Sequence, residues 1–213
     1  MKGLVSEMDS ALKQLILEEG FKKKGHFFYR QGISDDFQDM LGFNFATYHT
    51  GRQISPHVYI YNSTLDRLYL RLCEKKNKPG YPGMCLLGCN IGYLFPDHNY
   101  FDWFFQDFSE IPQISKTIIK KIKKYVYPFF KEYQNIEKII EVYENKTKGF
   151  GIDISTRFYK QPLLYSAIGE HDKGIELIEL IKQTGFIELD SQKTFYDNYI
   201  KYAMEQKGKG CNQ

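Results

Sequence analysis

The sequence predicts an α+β fold: an antiparallel sheet of about four strands, with a leading helix packed on one face and a helical C-terminal region. Aromatic residues make up 16% of the chain, with 17 Phe and 17 Tyr but one Trp, and such side chains favour strands. Apolar residues also alternate with period two in several segments before residue 105 and follow helical spacing after residue 110. With 213 residues the chain suffices for one large domain, or for one domain with a helical appendage.

The first predicted element is an amphipathic helix at about residues 6–19. Its apolar side chains fall on one face at helical spacing, namely Met8, Ala11, Leu12, Leu15 and Ile16. Gly20 followed by the apolar Phe21 is typical of a Schellman stop, because glycine accepts the left-handed conformation that ends the helix. We therefore expect the chain to leave the helix at Gly20 and to enter the sheet.

The sheet is predicted from aromatic and apolar segments that turn residues separate. Its strands are expected at 26–31, 37–47, 57–61 and 84–94, with a helix at 63–76 and a last strand or buried aromatic loop at 100–105. Period two places alternate side chains of a strand on one face. We therefore expect Phe43, Phe45, Leu87 and Ile91 to be buried.

From Glu110 onward the apolar spacing is helical. A first helix carries Ile118, Ile122 and Tyr125 on one stripe and is bent or ended by Pro128. A second helix covers about residues 136–143, and three more are expected near 156–168, 172–183 and 191–206. The predicted organisation is therefore a sheet domain at 1–148, a helical region at 149–206 and a disordered tail at 207–213.

Several short stretches resemble the bacterial domain-of-unknown-function family 4304. The stretches, in the family's order, are Gly20-Phe21-Lys22-Lys23 with Phe28-Tyr29-Arg30, then Phe43-Asn44-Phe45, Cys89-Asn90-Ile91-Gly92-Tyr93 and Tyr127-Pro128-Phe129-Phe130. Ala46 departs from the pattern, since a polar Gln often follows the Asn-Phe pair. The resemblance covers about residues 8–145. It implies an α+β domain and brings no known activity, so no functional residue is carried over.

A second resemblance concerns residues 163–181, which look like the hinge of one tetratricopeptide-like helix pair. Tyr165-Ser-Ala-Ile-Gly-Glu170 is followed there by Gly174-Ile-Glu-Leu-Ile-Glu179. One copy is visible, and such repeats need neighbours to bury their faces. An ordinary helical hairpin is the favoured interpretation.

Composition limits the classes of function. The net charge of +3 is too small to indicate a polyanionic partner by itself. No apolar run is long enough for a membrane span, and the N-terminus lacks the features of a secretory signal. The four cysteines (Cys73, Cys85, Cys89 and Cys211) show no disulfide framework. We therefore expect reduced thiols, a cytoplasmic location and no membrane partner.

One loop offers candidate catalytic residues: Asp97, His98 and Asp102 follow Pro96. General base chemistry or metal binding would need an oriented partner or more ligands, and the sequence shows neither. A solvated loop is the favoured interpretation. Cys85 and Cys89 share a strand face, but no second Cys or His pair follows, so we interpret both as small core residues.

The lysines of the helix after residue 110 form a candidate nucleic-acid patch, centred on Lys120, Lys121, Lys123 and Lys124. Phosphates would meet these lysines, and nearby tyrosines would stack bases. However, the lysines lie opposite the apolar stripe, where any surface helix carries charge. A solvated face is the favoured interpretation.

No Walker loop, dinucleotide glycine fingerprint, nucleophile elbow or two-histidine zinc helix occurs in the sequence. The leading hypothesis is therefore a non-catalytic cytoplasmic bacterial protein that binds a protein partner without a cofactor, in an immunity-like or regulatory role. A nucleic-acid-binding module that uses the lysine helix is the alternative. A hydrolase that uses the loop Asp and His residues is the third hypothesis.

Overall fold

The computed structural model of the chain describes residues 2–76, 81, 83–150, 154–184 and 190–210. The fold is α+β, with a leading helix, an antiparallel sheet and C-terminal helices, which confirms the predicted fold class. Over the described ranges the sheet has six strands rather than about four: the three-residue strand Lys22–Lys24 was not predicted, and Trp103–Phe105 lies within the predicted last strand or loop at 100–105. Within these ranges, no helix combines the length and the apolar character that crossing a membrane requires.

Contacts between Cα atoms divide the chain into two compact units. Unit 1 comprises Met1–Tyr61, Leu87–Gln134 and Gly149–Gly151, and unit 2 comprises Asn62–Leu86, Asn135–Lys148 and Ile152–Gln213. The sequence suggests a single boundary at residue 148 instead. Periodicity along the chain shows where strands are followed by helices. It does not show that the helices near residues 63–72 and 136–144 are part of the same compact unit as the C-terminal helices.

The sheet runs in the order β1-β2-β3-β4-β5, and β6 pairs with β4. Its strands are β1 (Lys22–Lys24), β2 (Phe27–Gln31), β3 (Phe37–Thr47), β4 (Arg52–Asn62), β5 (Cys85–Asn90) and β6 (Trp103–Phe105). On β4, Ile54, Val58 and Ile60 are fully buried. The alternate residues Gln53 and His57 are half-buried on the opposite face, which we call the outer face of the sheet.

The strand predictions are right in position and differ at the ends. β2 and β3 lie at the predicted places, whereas β4 begins at Arg52 rather than at residue 57. The predicted strand 84–94 is too long, because β5 ends at Asn90. The Asn90 side chain accepts a hydrogen bond of 2.9 Å from the Gly92 backbone N–H. This bond begins a short 3-10 helix at Ile91–Leu94.

The leading helix α1 (Lys2–Glu18) packs against α3 (Ile111–Lys121) in unit 1. Its buried side chains are Leu4, Met8, Leu12 and Ile16. Gly20 has a φ of 83°, and the Phe21 N–H donates to the Ile16 carbonyl oxygen at 3.4 Å. This six-to-one hydrogen bond is the predicted Schellman stop. The helix begins four residues before the predicted residue 6, at Lys2.

The core predictions are only partly right. Leu87 and Ile91 are buried as predicted, whereas Phe43 and Phe45 are only half-buried, so their predicted burial is wrong. Both rings line an open groove of about 470 Å³ between α1 and this end of β3. The alternation of β3 assigns the two rings to a face, but it does not show how fully α1 covers that face.

The helix that contains Pro128 does not end there. α3 passes through a π turn at Ile122–Val126 into α4 (Tyr127–Tyr133). The Tyr127 N–H donates to the Ile122 carbonyl oxygen, one residue further back than in an α-helix. Pro128 then lies in the first turn of α4, where a missing N–H is tolerated.

Unit 2 is helical. It contains α2 (Ser63–Leu72), α5 (Ile136–Glu144), α6 (Ile154–Ala167), α7 (His171–Gln183) and α8 (Asp190–Gly210). α6 and α7 pack together as the predicted helical hairpin, with Gly169 at a φ of 79° between them. α8 continues to Gly210, so the first part of the predicted disordered tail is helical, and 211–213 lie outside the described residues.

Candidate functional site

Three exposed aromatic side chains lie along the outer face of β4 in unit 1, and we call them the aromatic patch: Tyr48, Tyr100 and Phe104. Their exposed fractions are 48%, 51% and 44%. Phe104 is the central residue of β6 and lies opposite Gln53 of β4. The ring centroids of Tyr48 and Phe104 are 6.3 Å apart. Because large aromatic side chains are usually buried, such a group is a candidate contact surface.

Hydrogen bonds hold the polar ends of the two tyrosines on β4. The Tyr48 hydroxyl donates to Gln53 Oε1 at 2.5 Å, and Gln53 Nε2 donates to the Asp102 carboxylate. The Tyr100 hydroxyl donates to Ser55 Oγ at 2.8 Å. These bonds fix the rings before any partner arrives, so binding would cost little side-chain entropy.

Asn90 is a buried residue that positions the segment leading to β6. Its Oδ1 accepts from the N–H groups of Phe101 at 3.0 Å and Gly92 at 2.9 Å, and its Nδ2 donates to the Phe101 carbonyl oxygen at 2.9 Å. The Phe101 ring packs against Phe95 and Trp103, with centroid distances of 5.5 and 4.8 Å. Sequence reasoning missed this role. The sequence Asn90-Ile91-Gly92 is the one feature that could have indicated this role, but it is not specific, because an Asn two residues before a Gly occurs in many turns.

His57 continues the outer row of β4 next to the aromatic patch. Its ring centroid lies 6.3 Å from that of Tyr100. Its Nδ1 lies 3.0 Å from the Ser55 carbonyl oxygen. A carbonyl can only accept, so Nδ1 carries the proton. Burial lowers the pKa of His57 and outweighs this hydrogen bond. The imidazole is therefore neutral at neutral pH, and it adds no charge beside the patch.

Two of the three candidate catalytic residues, His98 and Asp102, have different hydrogen-bond partners. His98 Nδ1 lies 2.9 Å from the Tyr93 carbonyl oxygen, and Asp102 is engaged by Gln53. Across the part of unit 1 that the structure describes, no hydrogen bond or ion pair joins Asp97, His98 and Asp102 to one another. A general base needs an oriented partner, so the geometry gives the hydrolase hypothesis no support.

The cysteines likewise form no recognisable site. The described cysteines Cys73, Cys85 and Cys89 form no disulfide, with Cys85 half-buried and the other two buried, while Cys211 lies outside the described residues. Over the described ranges, no group of three or more His, Cys, Asp or Glu side chains could hold a metal ion.

The structure divides the predicted lysine cluster. A surface groove of about 450 Å³ runs along α3 and the π turn, and we call it the lysine groove. It is lined by Gln113, Lys116, Thr117, Lys120, Lys121 and Lys124. Lys123 does not line it and forms an ion pair of 2.6 Å with Glu19 instead. Lys120 and Lys124 are exposed as predicted, whereas Lys121 is half-buried because its Nζ lies 4.7 Å from the Phe95 ring centroid.

Comparisons with protein-family models, with curated proteins and with solved structures found no significant match for this chain. Any functional conclusion therefore depends on the geometry of these surfaces, of which the aromatic patch is the most unusual.

Proposed function

We propose that the chain is a cytoplasmic bacterial protein-binding module without catalysis, and that it holds its partner through the aromatic patch. One observation carries the proposal: three large rings stay about half exposed while hydrogen bonds hold two of them against β4. Single exposed apolar side chains are normal, whereas a group of them on one face is typical of a contact surface. An immunity-like or regulatory role is the expected form of this function.

The size and chemistry of the patch fit the centre of a protein interface. Tyr side chains are enriched among the residues that dominate binding energy, because they combine large area with few rotatable bonds. A whole aromatic side chain buries about 150–250 Å². Three half-exposed rings therefore offer roughly 200–400 Å² of the about 800 Å² that each partner contributes to a typical complex. The remaining area would come from a polar rim.

The family prediction supports no more specific role. The resemblance to domain-of-unknown-function family 4304 stays a prediction, and that family brings no activity. A non-catalytic role agrees with the lack of a hydrogen bond or ion pair among Asp97, His98 and Asp102, all three of which the structure describes.

Affinity capture with three matched versions of the protein tests this function. The patch variant carries Tyr48→Ser, Tyr100→Ser and Phe104→Ser. The control variant carries Leu17→Ser, Ile33→Ser and Phe108→Ser, which remove exposed apolar side chains elsewhere in unit 1. We expect the wild type and the control to retain the same protein from the native cytoplasm and the patch variant to lose it.

Titration of that protein in purified form gives the size of the effect. Each ring at an interface centre contributes more than about 1 kcal/mol, so the patch variant should bind at least about 100-fold more weakly. Equal binding by all three folded versions would show that the patch is not the binding surface.

A further inference from the structure

The lysine groove concentrates positive charge on one helical surface. No Asp or Glu occurs between residues 111 and 131. Among the ion pairs formed by the described residues, none involves Lys116, Lys120, Lys121 or Lys124. Two other lysines of unit 1 do form ion pairs, Lys23 with Asp9 at 2.8 Å and Lys123 with Glu19 at 2.6 Å. The groove therefore gathers four lysines that form no ion pair with the described residues, in a chain whose net charge is +3.

The lysines form a row along the helix rather than surrounding a single point. Lys116, Lys120 and Lys124 follow one another at four-residue spacing, and Lys121 lies in the neighbouring row. At about 1.5 Å per residue, the backbone positions of Lys116 and Lys124 are about 12 Å apart along the helix. Successive phosphates on one strand of a duplex advance by about 3.4 Å. The row thus spans three to four steps between consecutive phosphates, whereas a single small phosphate would contact only part of it.

Aromatic rings restrain part of the row. Lys121 Nζ lies 4.7 Å from the Phe95 ring centroid and 5.3 Å from that of Tyr125, and Lys124 Nζ lies 5.0 Å from the Tyr125 centroid. The Tyr125 ring also packs on Phe95, with a centroid distance of 4.9 Å. Because Tyr125 already has these neighbours, it is poorly placed to stack on a base.

Consecutive lysines in the π turn have different contacts. Lys123 and Lys124 both lie within Ile122–Val126, yet one pairs with Glu19 and the other lines the groove. Single π turns inside α-helices occur frequently at functional sites. Here the turn coincides with the end of the lysine row.

We propose that the lysine groove binds the phosphate backbone of a nucleic acid without reading its sequence. Lysine ammonium groups act as point charges toward phosphate, and backbone contacts carry no sequence information. With four phosphate contacts, log affinity should fall against log salt with a slope of about −3.6 for a duplex and about −2.8 for a single strand. Between about 50 and 200 mM salt this is a loss of about 150-fold and about 50-fold, respectively.

Fluorescence anisotropy with labelled single-stranded and duplex oligonucleotides of several sequences tests the proposal. The groove variant carries Lys116→Gln, Lys120→Gln and Lys124→Gln, and it keeps Lys121 because that side chain packs on rings. The control carries Lys13→Gln, Lys22→Gln and Lys131→Gln, an equal charge change at exposed lysines outside the groove. Circular dichroism confirms that all three proteins are folded.

We expect the wild type and the control to bind all sequences alike with the steep salt slope. The groove variant should bind more weakly, and its duplex slope should fall to about −0.9, because one contact remains. Absence of wild-type binding at about 50 mM salt, or equal weakening in both variants, would overturn the proposal. Equally strong binding of polyglutamate would also overturn it, in favour of an acidic protein partner.

Discussion

The Arg30 guanidinium donates two hydrogen bonds to the buried carboxylate of Asp39, from Nε at 3.0 Å and from Nη2 at 2.7 Å. The guanidinium carbon also lies 4.6 Å from the Phe21 ring centroid and 4.4 Å from that of Tyr127. Gln134 Nε2 donates to the other carboxylate oxygen. The pair thus connects β2, β3 and the helical stretch around α4 within unit 1.

Replacing Arg30 with Met should lower the free energy of unfolding by about 3–5 kcal/mol, because Asp39 would stay buried without its cation. Arg30→Lys should recover little, since an ammonium cannot bond the carboxylate twice and stack between rings. Urea denaturation measures the free energy of unfolding of both variants. Lys138→Met serves as control, because it breaks an exposed pair with Glu141 that contributes at most about 1 kcal/mol. An equally small loss for Arg30→Met would contradict this interpretation.

Glu19 should make stability depend on pH in the acid range. Its hydrogen bond from Lys123 lowers the pKa of Glu19, with help from the Tyr127 hydroxyl at 2.9 Å and against burial, which raises it. A carboxyl whose pKa is lower in the folded state stabilises the fold above its unfolded pKa. That contribution is lost as the pH falls through the folded pKa.

The stability advantage of the wild type over Glu19→Gln should therefore be constant near neutral pH. It should shrink progressively below the ordinary Glu pKa of 4.5. Denaturation midpoints measured over a series of acid pH values give this difference directly. If the stability difference stayed unchanged throughout the acid range, the ionisation of Glu19 would not contribute to the stability of the fold.

Gly174 of α7 is expected to tolerate no side chain. A Cβ there would overlap the hydroxyl of Tyr199. That hydroxyl donates to the Pro162 carbonyl oxygen at 2.8 Å and shares a hydrogen bond of 2.8 Å with Ser166. Gly174→Ala should cost about 1–3 kcal/mol, because the ring must move and its bonds are strained or lost.

Gly208→Ala in α8 is the matched control, since its Cβ would meet nothing within 4 Å. An alanine in an open helical position should stabilise the protein by about 0.5–1 kcal/mol. Thermal unfolding compares the two variants. If both raised the melting temperature, the close packing of α7 on Tyr199 would be refuted.

Asn90→Ala should affect both stability and binding. It leaves the buried Gly92 N–H and the part-buried Phe101 N–H and carbonyl without their partner, which should cost about 1–3 kcal/mol. Because Tyr100 is the residue before Phe101, partner binding should weaken as well. Unfolding and titration with the captured partner measure the two effects. Full affinity in a destabilised Asn90→Ala protein would show that Asn90 does not position the patch.

Much of the fold follows from the sequence, because the alternation of β3 and the Gly20-Phe21 stop are local signals. β1 was missed because three residues are too few to show a period. The incomplete burial of Phe43 was missed for another reason: alternation assigns a face, whereas burial depends on what covers it. The pairing of Arg30 with Asp39 requires the strand register, which neither strand reveals alone.

The candidate site was less predictable than the fold. Tyr48 and Tyr100 are 52 positions apart in the chain and come to β4 from different segments. They therefore become neighbours only through the tertiary structure, which the sequence pattern does not show. The lysine run was visible in the sequence, but the π turn and the pairing of Lys123 with Glu19 were not. An ideal helical wheel assumes a constant rotation per residue, and a π turn breaks that assumption.

Site-specific photocrosslinking in the native cytoplasm tests the proposed partner surface most directly. The photoreactive p-benzoylphenylalanine would replace Phe104 in the aromatic patch or, as control, Phe108, which is 57% exposed and outside the patch. We expect a single protein adduct from position 104 and none from position 108. No adduct at position 104, or the same adducts at both positions, would contradict a partner-binding role for the aromatic patch.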